Sequence, residues 1–244
     1  MKLDGRVALV TGGAKRVGQA LAVSLARRHA HVAFTYLTSA AEARATERLI
    51  TEHGVDALAV RTDLAKPASI EQLFKRIRQR FGRLDVLVNS ASNFDRVPFE
   101  QLTLNAWNRA LDVNLRGGFL CAMHAVPLMR AHGGGKIVNI ADWAGIRPYR
   151  DYLPYCVSKA GVIGLTKALA KELAPGILVN AIAPGPILPP PTMSTTTRSR
   201  VSRRVPVKRW GSPQDIANAL LFLLEGTDFM TGSTLVIDGG QLIH

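Results

Sequence analysis

The sequence predicts a doubly wound α/β fold, with one parallel sheet of about seven strands and helices on both faces. Strand-like and helix-like segments alternate from one end to the other. The strand segments are continuous apolar runs, as expected of strands buried on both faces, and no internal repeat or linker divides the chain. Val7–Thr11 is the first short apolar run, and a helix follows through Gly18–Arg28. His31–Tyr36 is the next strand, Ala40–Glu52 an alanine-rich helix, and Ala57–Arg61 the third strand. Helix Ala68–Phe81 leads to strand Leu84–Asn89. A long helix over Val113–Ala131 stops at Gly133-Gly134-Gly135. Strand Lys136–Ile140, a helix carrying Tyr155 and Lys159, and strand Leu178–Ala183 come next. A proline-rich, helix-poor stretch from Pro184 to about Pro206 has the length of a substrate lid; a plain surface excursion is the competing reading. Helix Pro213–Leu223 and strand Thr234–Ile237 close a single domain spanning 1–244. Such a sheet binds its ligand at the carboxyl ends of the strands.

Composition narrows the function. The 244 residues are 47% hydrophobic and 20% charged, the balance of a soluble globular chain. No run approaches the roughly 18 consecutive apolar residues of a membrane span. The N-terminus enters a strand at once without a signal-peptide layout, and Cys121 and Cys156 form no disulfide framework, so a cytoplasmic location is expected. Cys156 adjoins Tyr155 but points about 100° around the helix, and is read as packing. The six histidines show no metal-ligand spacing, so no metal is expected. The net charge of +13 raises the question of anionic partners, with one concentration at Arg198, Arg200, Arg203, Arg204, Lys208 and Arg209. No zinc-finger or RNA-binding motif accompanies it, so no nucleic acid is expected and a solvated basic surface is the plain reading.

Two motifs carry chemistry. Thr11-Gly12-Gly13-Ala14-Lys15-Arg16-Val17-Gly18 falls where the first strand gives way to the first helix, where backbone N–H groups attract a pyrophosphate. Tyr155 and Lys159 are four residues apart on a helix and share a face, so the ammonium is expected to lower the phenol's pKa and make it a general acid. Asp142 stands thirteen residues before Tyr155.

These motifs resemble the short-chain dehydrogenase/reductases, and the resemblance covers almost the whole chain. It implies a Rossmann-type fold, a tetramer, and catalytic roles for Tyr155, Lys159 and Asn114. It further implies cofactor contacts from Gly12, Val17, Tyr36, Asp63 and Leu64, from Asn89-Ser90-Ala91, from Tyr155 and Lys159, and from Pro184, Gly185 and Ile187. Asp238-Gly239-Gly240 resembles the family's closing motif. The second strand ends in Tyr36-Leu37-Thr38-Ser39, without the acid that binds the ribose hydroxyls of NAD. With Lys15 nearby, and hydroxyls on Thr38 and Ser39, the expected cofactor is NADPH.

Three departures occur together: Arg16 for a glycine, Asp142 for a serine, and Phe94 after Ser92-Asn93. Together they resemble the pteridine reductases, which implies that Arg16 contacts cofactor and pterin, that Ser92 does likewise, and that Phe94 stacks on the pterin. The expected reaction is NADPH-dependent hydride transfer to a dihydropterin C=N bond, with Tyr155 giving the proton, Lys159 tuning it and Asp142 resupplying it. The alternative is a 3-oxoacyl-carrier-protein reductase or other ketoreductase, which suits the basic charge. A non-catalytic NADPH sensor is a third reading, opposed by the intact Tyr155, Lys159 and Asn114.

Overall fold

The computed structural model describes residues 1–190 and 193–243. Its centre is a seven-stranded, wholly parallel sheet ordered β3-β2-β1-β4-β5-β6-β7. The strands are β1 Val7–Val10, β2 His31–Tyr36, β3 Ala57–Arg61, β4 Val86–Asn89, β5 Gly135–Ile140, β6 Ile177–Pro184 and β7 Thr234–Ile237. Side chains alternate across the sheet, so Ala8 and Val10 enter one core layer while Val7 and Leu9 enter the other. The first layer packs Leu21 and Leu25 of α1 (Arg16–Ala26), Ile50 of α2 (Ala40–Thr51) and Ile216 and Leu220 of α8 (Pro213–Leu221). The second packs Leu73, Phe74 and Ile77 of α3 (Pro67–Phe81) with Cys121 and Met129 of α5 (Gly117–Arg130). The predicted fold class is the observed one.

Local chemistry explains where the helices start and stop. Pro67 opens α3, where a missing N–H costs nothing, and Gly82 ends it at φ 70°. Ser212 and Asp215 form a reciprocal capping box at the start of α8. The buried Lys136 ammonium donates to the carbonyls of Leu223, Leu224 and Thr227 beyond α8 and pairs with Asp228 at 2.6 Å.

The stretch predicted to be helix-poor holds a helix. In Thr195–Arg204 (α7) the Ser194 hydroxyl accepts from the Thr197 amide as an N-cap; the prolines stop before it, and from residue 195 the sequence is threonine, serine, valine and arginine. Pro191 and Thr192 of the expected lid lie outside the described residues. The helix expected at Val113 begins earlier, as α4 (Leu104–Leu111), capped by Thr103. It runs through a π-turn at Asp112–Arg116 into α5. Strand β4 starts at Val86 rather than Leu84, after Asp85 has turned its carboxylate to the Val7 amide, Arg6 and Arg83. Among the described residues no helix is long and apolar enough to cross a membrane, and no group of side chains is arranged to hold a metal.

Candidate active site

Strand order reverses beside β1, whose neighbours are β2 and β4, and a crevice opens at such a switch point. There a cleft of about 750 Å³ is lined by Gly12, Lys15, Arg16, Val17, Tyr36, Thr38, Ser39, Asp63, Leu64, Ser90, Ala91 and Ser92, all of them predicted site residues. Thr11 Oγ1 accepts from the amides of Ser90 and Ala91 and pins that segment over the glycine turn. Gly12 has φ 68°, and a side chain there would come within 2.9 Å of the Ala91 Cα, so the turn can pass this close only as glycine. Arg16 takes the place of a glycine and keeps its backbone conformation, at φ 56°. The left-handed region costs a non-glycine residue about 1–2 kcal/mol. Its guanidinium reaches across to donate to the Leu188 carbonyl at 3.1 Å.

The cleft fits a dinucleotide carrying an extra phosphate. Open backbone at the turn lies against a helix start, Lys15 is exposed, and Tyr36 to Ser39 offer three hydroxyls and no carboxylate. Asn89 lies just below, bonding the Gly118 carbonyl and the Asn139 amide oxygen. Pro184 ends β6, and Ile187 is buried against a separate cavity of about 140 Å³ with Val205, Val207 and Gly239. The structure therefore places Pro184, Gly185 and Ile187 outside the lining of the large cleft.

From the cleft, Ser90 to Phe94 leads to the reactive groups. The Asn114 amide, placed by the π-turn, accepts from the Asn93 amide and donates to the Asn93 carbonyl and to Ser158 Oγ. Phe94 lies edge-on to Tyr155 with ring centroids 4.7 Å apart. The Tyr155 hydroxyl donates to Asp142 Oδ2 at 2.6 Å, and Asp142 Oδ1 accepts from the Ala144 amide at 2.7 Å. Lys159 donates to the Ile140 carbonyl at 2.8 Å, and its ammonium stands 5.7 Å from the Tyr155 ring centre.

The electrostatics correct one expectation. Tyr155 was expected to have a lowered pKa; instead burial and the facing Asp142 carboxylate push it well above the usual phenol value. Lys159 is desolvated, and burial brings it down to about 8 against the opposing pull of Asp142. Burial also raises Asp142, although the Tyr155 hydroxyl, the Ala144 amide and Lys159 each favour its ionised form. The proton thus resides on the phenol and is held towards the carboxylate.

The sequence reading missed the aromatic wall. Phe94 stacks on Tyr152 at 4.5 Å and 18°, while Tyr149 meets Tyr152 and the buried Trp143 edge-on. Tyr152 precedes Tyr155 by one helical turn, a spacing that would have placed both on one face. Cys156 packs as expected, buried with its sulfur accepting from the Tyr149 amide.

Comparison with known proteins agrees with this geometry. Residues 12–241 match a family model described as "Enoyl-(Acyl carrier protein) reductase". A 3-oxoacyl-[acyl-carrier-protein] reductase of Synechocystis is 36% identical, over 99% of this chain and 98% of its own. A putative short-chain alcohol dehydrogenase of Sinorhizobium meliloti superimposes with a TM-score of 0.93 at 34% identity, covering 100% of this chain and 99% of its own. The L-sorbose reductase of Gluconobacter frateurii, solved with NADPH and L-sorbose, gives 0.94 at 29% identity over 100% of both chains. With its switch-point cleft, glycine turn and Tyr155–Lys159 pair, the chain belongs to the short-chain dehydrogenase/reductase family of oxidoreductases.

Proposed function

We propose that this chain is an NADPH-dependent reductase in which Tyr155 protonates the atom left negative when a polarised double bond accepts a hydride. The observation that carries the reading is the Tyr155 hydroxyl, buried and donating to Asp142 at 2.6 Å. When bound, the cofactor supplies the hydride. Gly12, Lys15, Thr38, Ser39, Asp63 and Leu64 bind its phosphates and adenosine, with Arg16, Val17, Tyr36 and Ser90-Ala91 alongside, while Asn89, Pro184, Gly185 and Ile187 support the nicotinamide end. Lys159 orients the ribose and electrostatically steadies the phenolate that forms, and Asn114 holds the Asn93–Phe94 segment against the site. Asp142, in its protonated fraction, returns a proton to Tyr155.

Two substrate classes remain, each with its own support. The curated relatives are named 3-oxoacyl-[acyl-carrier-protein] reductases, which makes a 3-oxoacyl thioester the class better supported by similarity. The Asp142–Tyr155 contact favours a dihydropterin C=N bond: both reductions take a proton through Tyr155, but a hydroxyl at position 142 suffices to orient a ketone, whereas a carboxyl group there can also resupply the proton that a ring nitrogen takes. In that second reading Phe94, Ser92 and Arg16 contact the heterocycle. The working assembly is proposed to be a homotetramer. The test is NADPH oxidation with acetoacetyl thioester, dihydrobiopterin and dihydrofolate. Turnover of any of them, lost in Tyr155→Phe, is the expected result, and the preferred one assigns the substrate. Turnover of none by a chain that still binds NADPH would overturn both substrate readings.

A further inference from the structure

We propose that Arg61, at the end of the sheet's outer strand, binds the 2′-phosphate of the cofactor and is a principal source of the preference for NADPH over NADH. This rests on the NADPH reading above and adds a residue that neither the glycine turn nor the end of β2 contains. The register of β2 and β3 pairs Tyr36 with Arg61, and the Thr62 amide donates to the Tyr36 carbonyl at 2.8 Å, so the ends of the two strands are zipped together. The Arg61 side chain then turns towards the cleft rim: its Nε donates to the Leu37 carbonyl at 3.1 Å, and Leu37, Thr38 and Ser39 all line the cleft.

Three features make this guanidinium a phosphate ligand rather than a surface charge. The bond to Leu37 fixes the group through Nε and leaves both terminal nitrogens, the pair that forks onto a phosphate, without a partner among the described residues. Arg61 has no carboxylate partner among the described residues to neutralise it, a state it shares with exposed arginines such as Arg44 and Arg76; what sets it apart is its place at the cleft rim. At the rim itself, Ser39 stands at the N-cap of α2 but makes no capping hydrogen bond, so its hydroxyl remains available. A phosphate at Thr38 and Ser39 would be met from one side by Lys15 and from the other by Arg61. NADH carries only an uncharged 2′-hydroxyl there, so the ionic interaction acts on one cofactor only.

The test is direct binding to the full-length protein, by fluorescence or calorimetric titration, of NADPH, NADH and 2′,5′-ADP. Arg61→Gln keeps a donor for the Leu37 carbonyl but no charge. It should weaken NADPH and 2′,5′-ADP about tenfold or more and leave NADH within about twofold. Arg61→Lys should recover part of the loss, and the salt dependence of NADPH binding should fall in Arg61→Gln. Equal weakening of NADPH and NADH would reduce Arg61 to a strut for the rim and overturn the proposal. Unchanged NADPH binding in Arg61→Gln would overturn it as well. Equal affinity of the parent protein for NADPH and NADH would instead remove the cofactor reading on which the proposal stands.

Discussion

The Tyr155 hydroxyl donates to Asp142 over 2.6 Å, and most of the chemistry turns on moving and replacing that proton. Tyr155→Phe removes the donor without touching the phosphate turn, so kcat should fall by about 10²–10⁴ while the Kd for NADPH stays nearly constant. Asp142 has a raised pKa, so its acid form persists to higher pH than an ordinary carboxyl and is then lost. Dihydropterin reduction, if it uses that proton, should slow as pH rises, and Asp142→Ser should lose this limb while keeping ketone reduction. Equal pterin rates and pH profiles in the two proteins would make the carboxylate incidental. Lys159 gives the opposite sign for stability. Its folded pKa, about 8, lies below that of the unfolded chain, so its contribution is present at high pH and is lost as pH falls through about 8. At neutral pH the buried charge costs stability, and Lys159→Met should abolish turnover yet raise stability by about 1–2 kcal/mol, part of the gain being offset by the unpaired Ile140 carbonyl. Chemical denaturation at pH 6.5 and pH 10 checks this, because the gain should vanish at the higher pH.

At the scale of elements, the glycine turn and the segment after β6 are linked through Arg16. Arg16→Ala keeps the left-handed backbone but loses the Leu188 bond, whereas Arg16→Gly loses the bond and relieves the strain. Glycine should therefore be more stable than alanine here by about 1 kcal/mol, the reverse of the usual helix order, as urea unfolding would show. The regular elements were legible because burial on both faces makes strands read as apolar runs. What escaped packs little against the core: α4 buries only Ala110, and α7 buries none of its residues. The site was legible wherever its residues are local, as with Tyr155 and Lys159. It was not where they meet only through the fold: Phe94 and Tyr152, or Leu37 and Arg61, are far apart in sequence, and the inverted pKa of Tyr155 depends on burial and on which way Asp142 turns.

On the whole molecule, the exposed large apolar side chains include two groups. Phe119 and Met123 lie one helical turn apart on α5, with Val157 exposed on α6 (Leu153–Leu173); Phe222, Phe229, Val236 and Ile243 cluster in sequence at the other end. Two such surfaces suit a dimer of dimers, and light scattering should give about four times 26.4 kDa. Met123→Glu should split that mass in half if the α5 surface is one of the two contacts. The sheet order has a consequence for how the chain is made. β2 and β3 add outward on one side of β1, and β4, β5, β6 and β7 add outward on the other, each beside a strand already synthesised. No strand must wait for a later one to be inserted beside it, so a chain emerging from the ribosome can assemble the phosphate turn and its rim, Gly12 to Arg61, before Asp142 and Tyr155 have been translated. Stalled nascent chains long enough for Phe81 to have left the ribosomal tunnel should already resist brief proteolysis in that first segment, and 2′,5′-ADP should deepen the protection.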